Sequence, residues 1–159
     1  MKISIFLNGS LVTRDTAPDE TLFRFVREAG CFSVKCGCET SNCGLCTVLL
    51  DDRPVLSCSL LAVRADHRRV TTLEGLPAEA ELLGGFLADQ GAEQCGFCNP
   101  GFLMNTIAML RECPDPSEED IREYLSGNLC RCSGYEGQMR AIMKYLEYRK
   151  GGRHGNEGR

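Results

Sequence analysis

The chain has 159 residues, 43% of them hydrophobic, eleven cysteines and a net charge of −4. That length fits one compact domain or two small ones, and small domains bury a lower share of their surface, so something beyond an apolar core must staple them. The mildly acidic balance leaves no footprint for nucleic acid or an anionic membrane, and no run approaches the roughly 20 apolar residues of a membrane span.

Residues 2–16 predict a hairpin. Ile3, Ile5 and Leu7 alternate, Asn8-Gly9 is a type I′ turn signal, and Leu11 and Val12 begin the return strand. A short amphipathic helix follows over 20–29, with Leu22, Phe25, Val26 and Ala29 on one face and Gly30 ending it. A cysteine-rich loop fills 36–46. Thr47–Leu50 and Val55–Ser57 predict a second hairpin around Asp51–Pro54, and Val70–Leu73 a last strand. Together these give a small mixed sheet packed on a helix.

Past Glu74-Gly75-Leu76-Pro77 the apolar period becomes helical, first at Leu82, Leu83, Phe86 and Leu87. Asn99 is expected to cap, and Pro100 to open, a helix carrying Leu103, Ile107 and Leu110. Ser117 and Asp120 have capping-box spacing for a helix ending at Gly127. A final helix over about 135–149 aligns Met139, Ile142, Met143 and Leu146. The domains are therefore expected at 1–76 and 77–150, with a disordered tail over 151–159.

The N-terminus, MKISIFLNGS, shows no basic segment followed by a long apolar run, so a cytoplasmic location is expected. There thiols stay reduced, which turns dense cysteine spacing from disulfides toward metal. Cys38, Cys43, Cys46 and the more remote Cys58 have the plant-type [2Fe–2S] spacing: three thiolates from one wrapping loop and a fourth presented at the end of a hairpin. Gly37 and Gly44 allow the positive φ angles and close backbone approach such a wrap needs. Zinc is the bland alternative, but it is satisfied by two close pairs.

Cys95 and Cys98 lie in one interhelical loop, Cys130 and Cys132 in another. If the two helical hairpins face each other as a four-helix bundle, four sulfurs converge at one end. On spacing alone this second set suits zinc as well as an iron–sulfur cluster. A redox dithiol fails on context, because no βαβ unit surrounds it. Cys31 and Cys113 are expected to be bystanders, and Cys36 leaves a poorer loop register than Cys38. Arg64, His67, Arg68 and Arg69 form a local basic group, expected to be a solvated loop.

The segment Cys38-Glu39-Thr40-Ser41-Asn42-Cys43-Gly44-Leu45-Cys46-Thr47-Val48, with Ser57-Cys58, resembles the first cluster loop of the molybdenum hydroxylases, the xanthine oxidase and carbon monoxide dehydrogenase superfamily. Gln94-Cys95-Gly96-Phe97-Cys98-Asn99-Pro100-Gly101 resembles that family's second motif, and Gly127–Tyr135 its third. The resemblance runs from about residue 3 to 148. Asn99 and Ser133 each stand where threonine is usual, and both keep a polar cap. Thr40-Ser41-Asn42 replaces the commoner glycine-rich form.

The resemblance implies an α+β chain: a β-grasp ferredoxin domain, then a four-helix domain, each with a [2Fe–2S] cluster. It implies no catalysis on this chain. A molybdenum–pterin cofactor on a large subunit, with Gln94 and Cys132 facing the pterin, would pass electrons to the cluster of Cys95, Cys98, Cys130 and Cys132. From there they would reach the cluster of Cys38, Cys43, Cys46 and Cys58, then FAD on a medium subunit or another acceptor. A dimer of heterotrimers is expected. The expected substrate is a purine or related N-heterocycle, the alternatives being carbon monoxide, aldehydes, nicotinate or aromatic acyl-CoA. A free-standing two-cluster carrier, or a zinc or cluster-sensing module, are the competing functions.

Overall fold

The computed structural model describes residues 1–154. β1 (Lys2–Leu7) and β2 (Ser10–Asp15) form the expected hairpin, and Asn8 and Gly9 both take positive φ, 50° and 84°, as a type I′ turn demands. α1 (Leu22–Glu28) starts one residue after Thr21, whose side chain accepts from Arg24 N at 3.3 Å. It closes in a Schellman motif, with Cys31 N donating to Val26 O and Gly30 N to Arg27 O, both at 3.0 Å.

β3 (Thr47–Leu50) and β4 (Arg53–Leu56) form the second hairpin. Its turn is Asp51-Asp52 alone, both at positive φ, so the return strand begins two residues before the expected Val55. Pro54 is tolerated inside β4 because that strand is the sheet edge, where a missing N–H costs no ladder bond. β5 (Arg69–Thr71) is shorter than the strand expected through Leu73. The sheet order is β2-β1-β5-β3-β4, with β1 and β5 parallel and the other pairs antiparallel, which is the β-grasp arrangement.

Ile3, Ile5 and Leu7 point from β1 to one face, where Leu22, Phe25 and Val26 of α1 cover them. All four residues of β3 are buried. Val48 and Leu50 join the α1 core, whereas Leu49 packs with Met104 and Ala108 of the helical half. The strand is thus covered on both faces, which explains its unbroken apolar run.

α2 (Pro77–Asp89), α3 (Asn99–Glu112), α4 (Glu118–Leu125) and α5 (Glu136–His154) form the second half. α2 packs on α3 and α5, and α4 on the same two, giving the expected four-helix arrangement. The capping box of Ser117 and Asp120 forms. Asn99 does not cap α3. Cys98 is the cap residue, with helical φ and ψ, and Asn99 instead donates from Nδ2 to Glu93 at 2.6 Å. The loop turn at Gly96, whose carbonyl accepts from Asn99 N, starts the helical path one residue early. α5 continues through His154, past the expected end at 149 and into the expected disordered tail; 155–159 lie outside the described residues.

The connector between the halves is pinned. Thr72 is fully buried, donating N–H to Asn8 Oδ1 and accepting from Asn8 Nδ2, both at 2.9 Å. Glu74 accepts from Ser33 N at 2.7 Å and Ser33 Oγ at 2.6 Å. Burial raises the Glu74 carboxyl, but its hydrogen bonds from Ser33 and Thr72 outweigh that and hold it below the usual range.

Candidate metal centres

The eight cysteines singled out by spacing come together in two regions, and within each the sulfurs pack in pairs. Cys38 lies close enough to Cys43, and Cys46 to Cys58, for each thiol to influence the other's ionisation. Cys130 lies close enough to Cys98 to raise its thiol, and the Sγ atoms of Cys95 and Cys132 stand 3.8 Å apart. Among the described residues no three His, Cys, Asp or Glu side chains close around a single ion. Each set is thus two close pairs of thiols, and a two-iron core would take one pair on each iron.

The first loop leaves α1 after its Schellman turn and wraps back to β3. Backbone N–H groups of Asn42, Thr40 and Cys43 point at Cys38 and lower its thiol to about 6. Cys46 lies under the sheet with 1% exposure, and burial pushes it up to about 12. Gly44 takes the expected positive φ, 73°, but Gly37 does not; a Cβ there would fall 2.7 Å from Leu45 Cδ2, a side-chain tip that would have to shift. Cys58 sits in a 3-10 turn, Ser57–Ser59, one step beyond the hairpin that was expected to end with it. Ser57 Oγ ties that turn to Cys46 O at 2.7 Å.

The second set lies at the end of the bundle where the α2–α3 and α4–α5 loops meet. Burial raises the Cys130 thiol, yet Ser133 Oγ at 3.2 Å, Ser133 N at 3.3 Å and Cys132 N at 3.4 Å outweigh it and bring it to about 7. Ser133 Oγ also accepts from Tyr135 N at 3.2 Å, in the turn that precedes α5. Burial pushes Cys98 up to about 12. Gln94 donates from Nε2 to Cys132 O at 3.3 Å, fastening one loop to the other. Cys95 and Cys132 are exposed.

Spacing gave no hint that the two regions interlock. Cys38 and Cys43 line the same cavity as all four cysteines of the second set. Leu129 N donates to Cys43 O at 2.9 Å, and Asn128 Nδ2 to Gly44 O at 3.3 Å. Asn105 on α3 holds Asn128 Oδ1 at 2.6 Å. Asn128 is 5% exposed, in a loop where polar side chains normally face water. Asn128→Ala is expected to lower stability by about 1–3 kcal/mol, leaving Asn105 Nδ2 without its partner, while Gly44 O keeps its bonds from Thr47. Chemical denaturation of the metal-loaded chain checks this, and a change within error would show the Asn128 bonds to be incidental.

The remaining candidates stay outside. Cys36 donates its thiol to Cys38 O at 2.8 Å. Cys31 is buried beside Asn8, and Cys113 is exposed just past α3. Within the basic group Arg68 pairs with Asp51 and Arg69 with Asp52, each at 2.7 Å.

Comparison with known proteins finds two iron–sulfur domains in the chain. Residues 5–73 match the 2Fe-2S iron-sulfur cluster binding domain family, and residues 72–143 the [2Fe-2S] binding domain family. The nicotinate dehydrogenase small FeS subunit of Eubacterium barkeri is 42% identical, over 84% of this chain and 87% of its own length. The xanthine dehydrogenase iron-sulfur-binding subunit of Escherichia coli O157:H7 is 44% identical over the same shares, 84% and 87%. Among solved structures, quinoline 2-oxidoreductase from Pseudomonas putida 86 superposes with a TM-score of 0.85 at 40% identity, covering 92% of each chain.

Proposed function

Since this chain belongs to the small iron–sulfur subunits of the molybdenum hydroxylases and is an electron-transfer subunit with two [2Fe–2S] clusters, we propose which residues hold the clusters and the route between them. Cys38 and Cys43 hold one iron of the first cluster, and Cys46 and Cys58 the other. Cys95 with Cys132, and Cys98 with Cys130, hold the two irons of the second. The pairwise packing of the sulfurs supports this division. The sheet unit ends at 76 and the helical unit spans 77–150, a boundary supported by α2 starting at Pro77.

Each cluster, when bound, takes up one electron and passes it on. The chain itself sets the order. The exposed edge of Cys95 and Cys132, with Gln94 beside it, receives the molybdenum–pterin cofactor of a large subunit. The Cys98 and Cys130 side faces inward. From there the backbone of Leu129, adjacent to Cys130, reaches Cys43 through one hydrogen bond of 2.9 Å. That bond carries the proposed order, because it joins Cys43 to the residue next to Cys130. Cys58, half-buried at the far side of the first loop, faces the FAD of a medium subunit or another acceptor.

The assembly is a dimer of heterotrimers in the cytoplasm; no described helix is long and apolar enough to cross a membrane. The substrate is a purine or related N-heterocycle. Nicotinate, xanthine and quinoline, named for the relatives above, share a nitrogen-containing aromatic ring.

Anaerobically purified chain is expected to carry about four iron and four acid-labile sulfide, with negligible zinc, and to co-purify with a molybdenum-containing subunit. Stoichiometric zinc without visible absorbance would overturn the cluster assignment.

A further inference from the structure

Ser41 belongs to the Thr40-Ser41-Asn42 stretch that replaces the commoner glycine-rich form of the first loop. Its φ is 59°, a left-handed backbone that glycine adopts freely and a residue with a Cβ adopts at a cost. Asn8, Asp51 and Asp52 take positive φ in the hairpin turns, and their residue types suit it. Ser41 has neither excuse. Strain that persists beside a functional site points to something the conformation achieves there.

What it achieves is an approach to sulfur. The Ser41 hydroxyl lies 3.9 Å from Cys58 Sγ, 17 positions along the chain, at the outer reach of a bond to sulfur. Ser59 Oγ comes to the same sulfur at 3.5 Å, from the 3-10 turn that carries Cys58. Two hydroxyls from separate segments thus converge on one thiol. The other three sulfurs of the set are served by backbone N–H groups: Cys38 by Asn42 among others, Cys43 by Leu45, and Cys46 by Cys58.

A free thiol can donate to these oxygens. A thiolate bound to iron has no proton to give, so the hydroxyls must turn their own O–H toward it. Such bonds strengthen as the sulfur becomes more negative, and reducing the cluster by one electron adds one negative charge. The reduced form therefore gains more than the oxidised form, and the potential rises. Resting on the ligand assignment made above, we propose that Ser41 and Ser59 act through Cys58: their hydroxyls hydrogen-bond its thiolate and raise the potential of the first cluster relative to the second. The step they favour moves one electron. The second cluster is oxidised, the first is reduced, and no proton is transferred.

The test is a redox titration of the assembled enzyme, read by the paramagnetic signals of both clusters, with the second as internal reference. In the double variant Ser41→Ala/Ser59→Ala, the electron's equilibrium between the clusters should move about tenfold toward the second, a fall of about 59 mV for the first. Ser41→Ala and Ser41→Gly alone should each move it about threefold. Glycine relieves the strain, so Ser41→Gly should also melt above Ser41→Ala. Ser59→Thr keeps a hydroxyl and should titrate like the wild type. An unchanged first-cluster potential in the double variant would overturn the proposal. So would an equal fall in both clusters, or a fall in Ser41→Ala that is absent in Ser41→Gly, since strain rather than the hydroxyl would then set the potential. A Cys58→Ala enzyme with an unaltered first signal would instead overturn the ligand assignment on which the proposal rests.

Discussion

Cys130→Ser is expected to abolish the second paramagnetic signal of the reduced chain, leave the first intact, and take turnover of the assembled enzyme to background. Cys130 receives more hydrogen bonds than any other proposed ligand of its set, and it sits next to Leu129, whose N–H reaches Cys43. Removing its thiolate therefore removes both a ligand and the proposed exit point. Substrate should still reduce the molybdenum centre once, after which electrons have no way out. Cys43→Ser should give the converse: the first signal is lost, and substrate still reduces the second cluster but flavin stays oxidised. Cluster environment sets potential, so the two signals should be distinguishable in the wild type. Rapid mixing followed by low-temperature spectroscopy reads the order directly. If Cys43→Ser stopped substrate from reducing the second cluster, the proposed order would be reversed.

Gly101→Ala should lower stability by about 2–3 kcal/mol, or roughly 5–10 °C in melting temperature for a chain of this size. A Cβ at Gly101 would fall 2.5 Å from Gly44 O and 2.7 Å from Leu45 Cα. Both are backbone atoms of the first cysteine loop, which cannot swing aside as a side-chain tip would. Gly44 is equally constrained, with φ +73° and Gly127 O at 2.6 Å from its would-be Cβ. Gly85 is the control. It lies exposed within α2 with nothing within 4 Å, so Gly85→Ala should stabilise by about 0.5–1 kcal/mol through helix propensity alone. Equal melting shifts for the two variants would show that α3 and the loop are not in firm contact.

Much of the fold was legible because its signals are local. Asn8-Gly9, the i/i+2 run of Ile3, Ile5 and Leu7, and the capping box of Ser117 and Asp120 each specify geometry within a few residues. Errors fell where a neighbouring element changes local preference. Asn99 looks like a cap, but the turn at Gly96 draws Cys98 into the helical path first. Asp51–Pro54 looks like a four-residue loop, but an edge strand accepts Pro54. The eight cysteines were legible from spacing, whereas their interlock was not. Asn128 to Gly44 spans 84 positions, and no short-range pattern in either loop announces it. Gly101 reads as an ordinary helix-start glycine until α3 is seen lying against Gly44.

The pinned connector has a kinetic consequence. Two small domains joined by a short linker ordinarily move against each other, and transfer between them would then wait on reorientation. Here Asn8 clamps Thr72, Ser33 clamps Glu74, and Leu49 lies under Met104. With no hinge at 72–76, intercluster tunnelling is ungated: its rate should be indifferent to solvent viscosity, and added glycerol or sucrose should leave it unchanged while slowing any step that requires subunits to move.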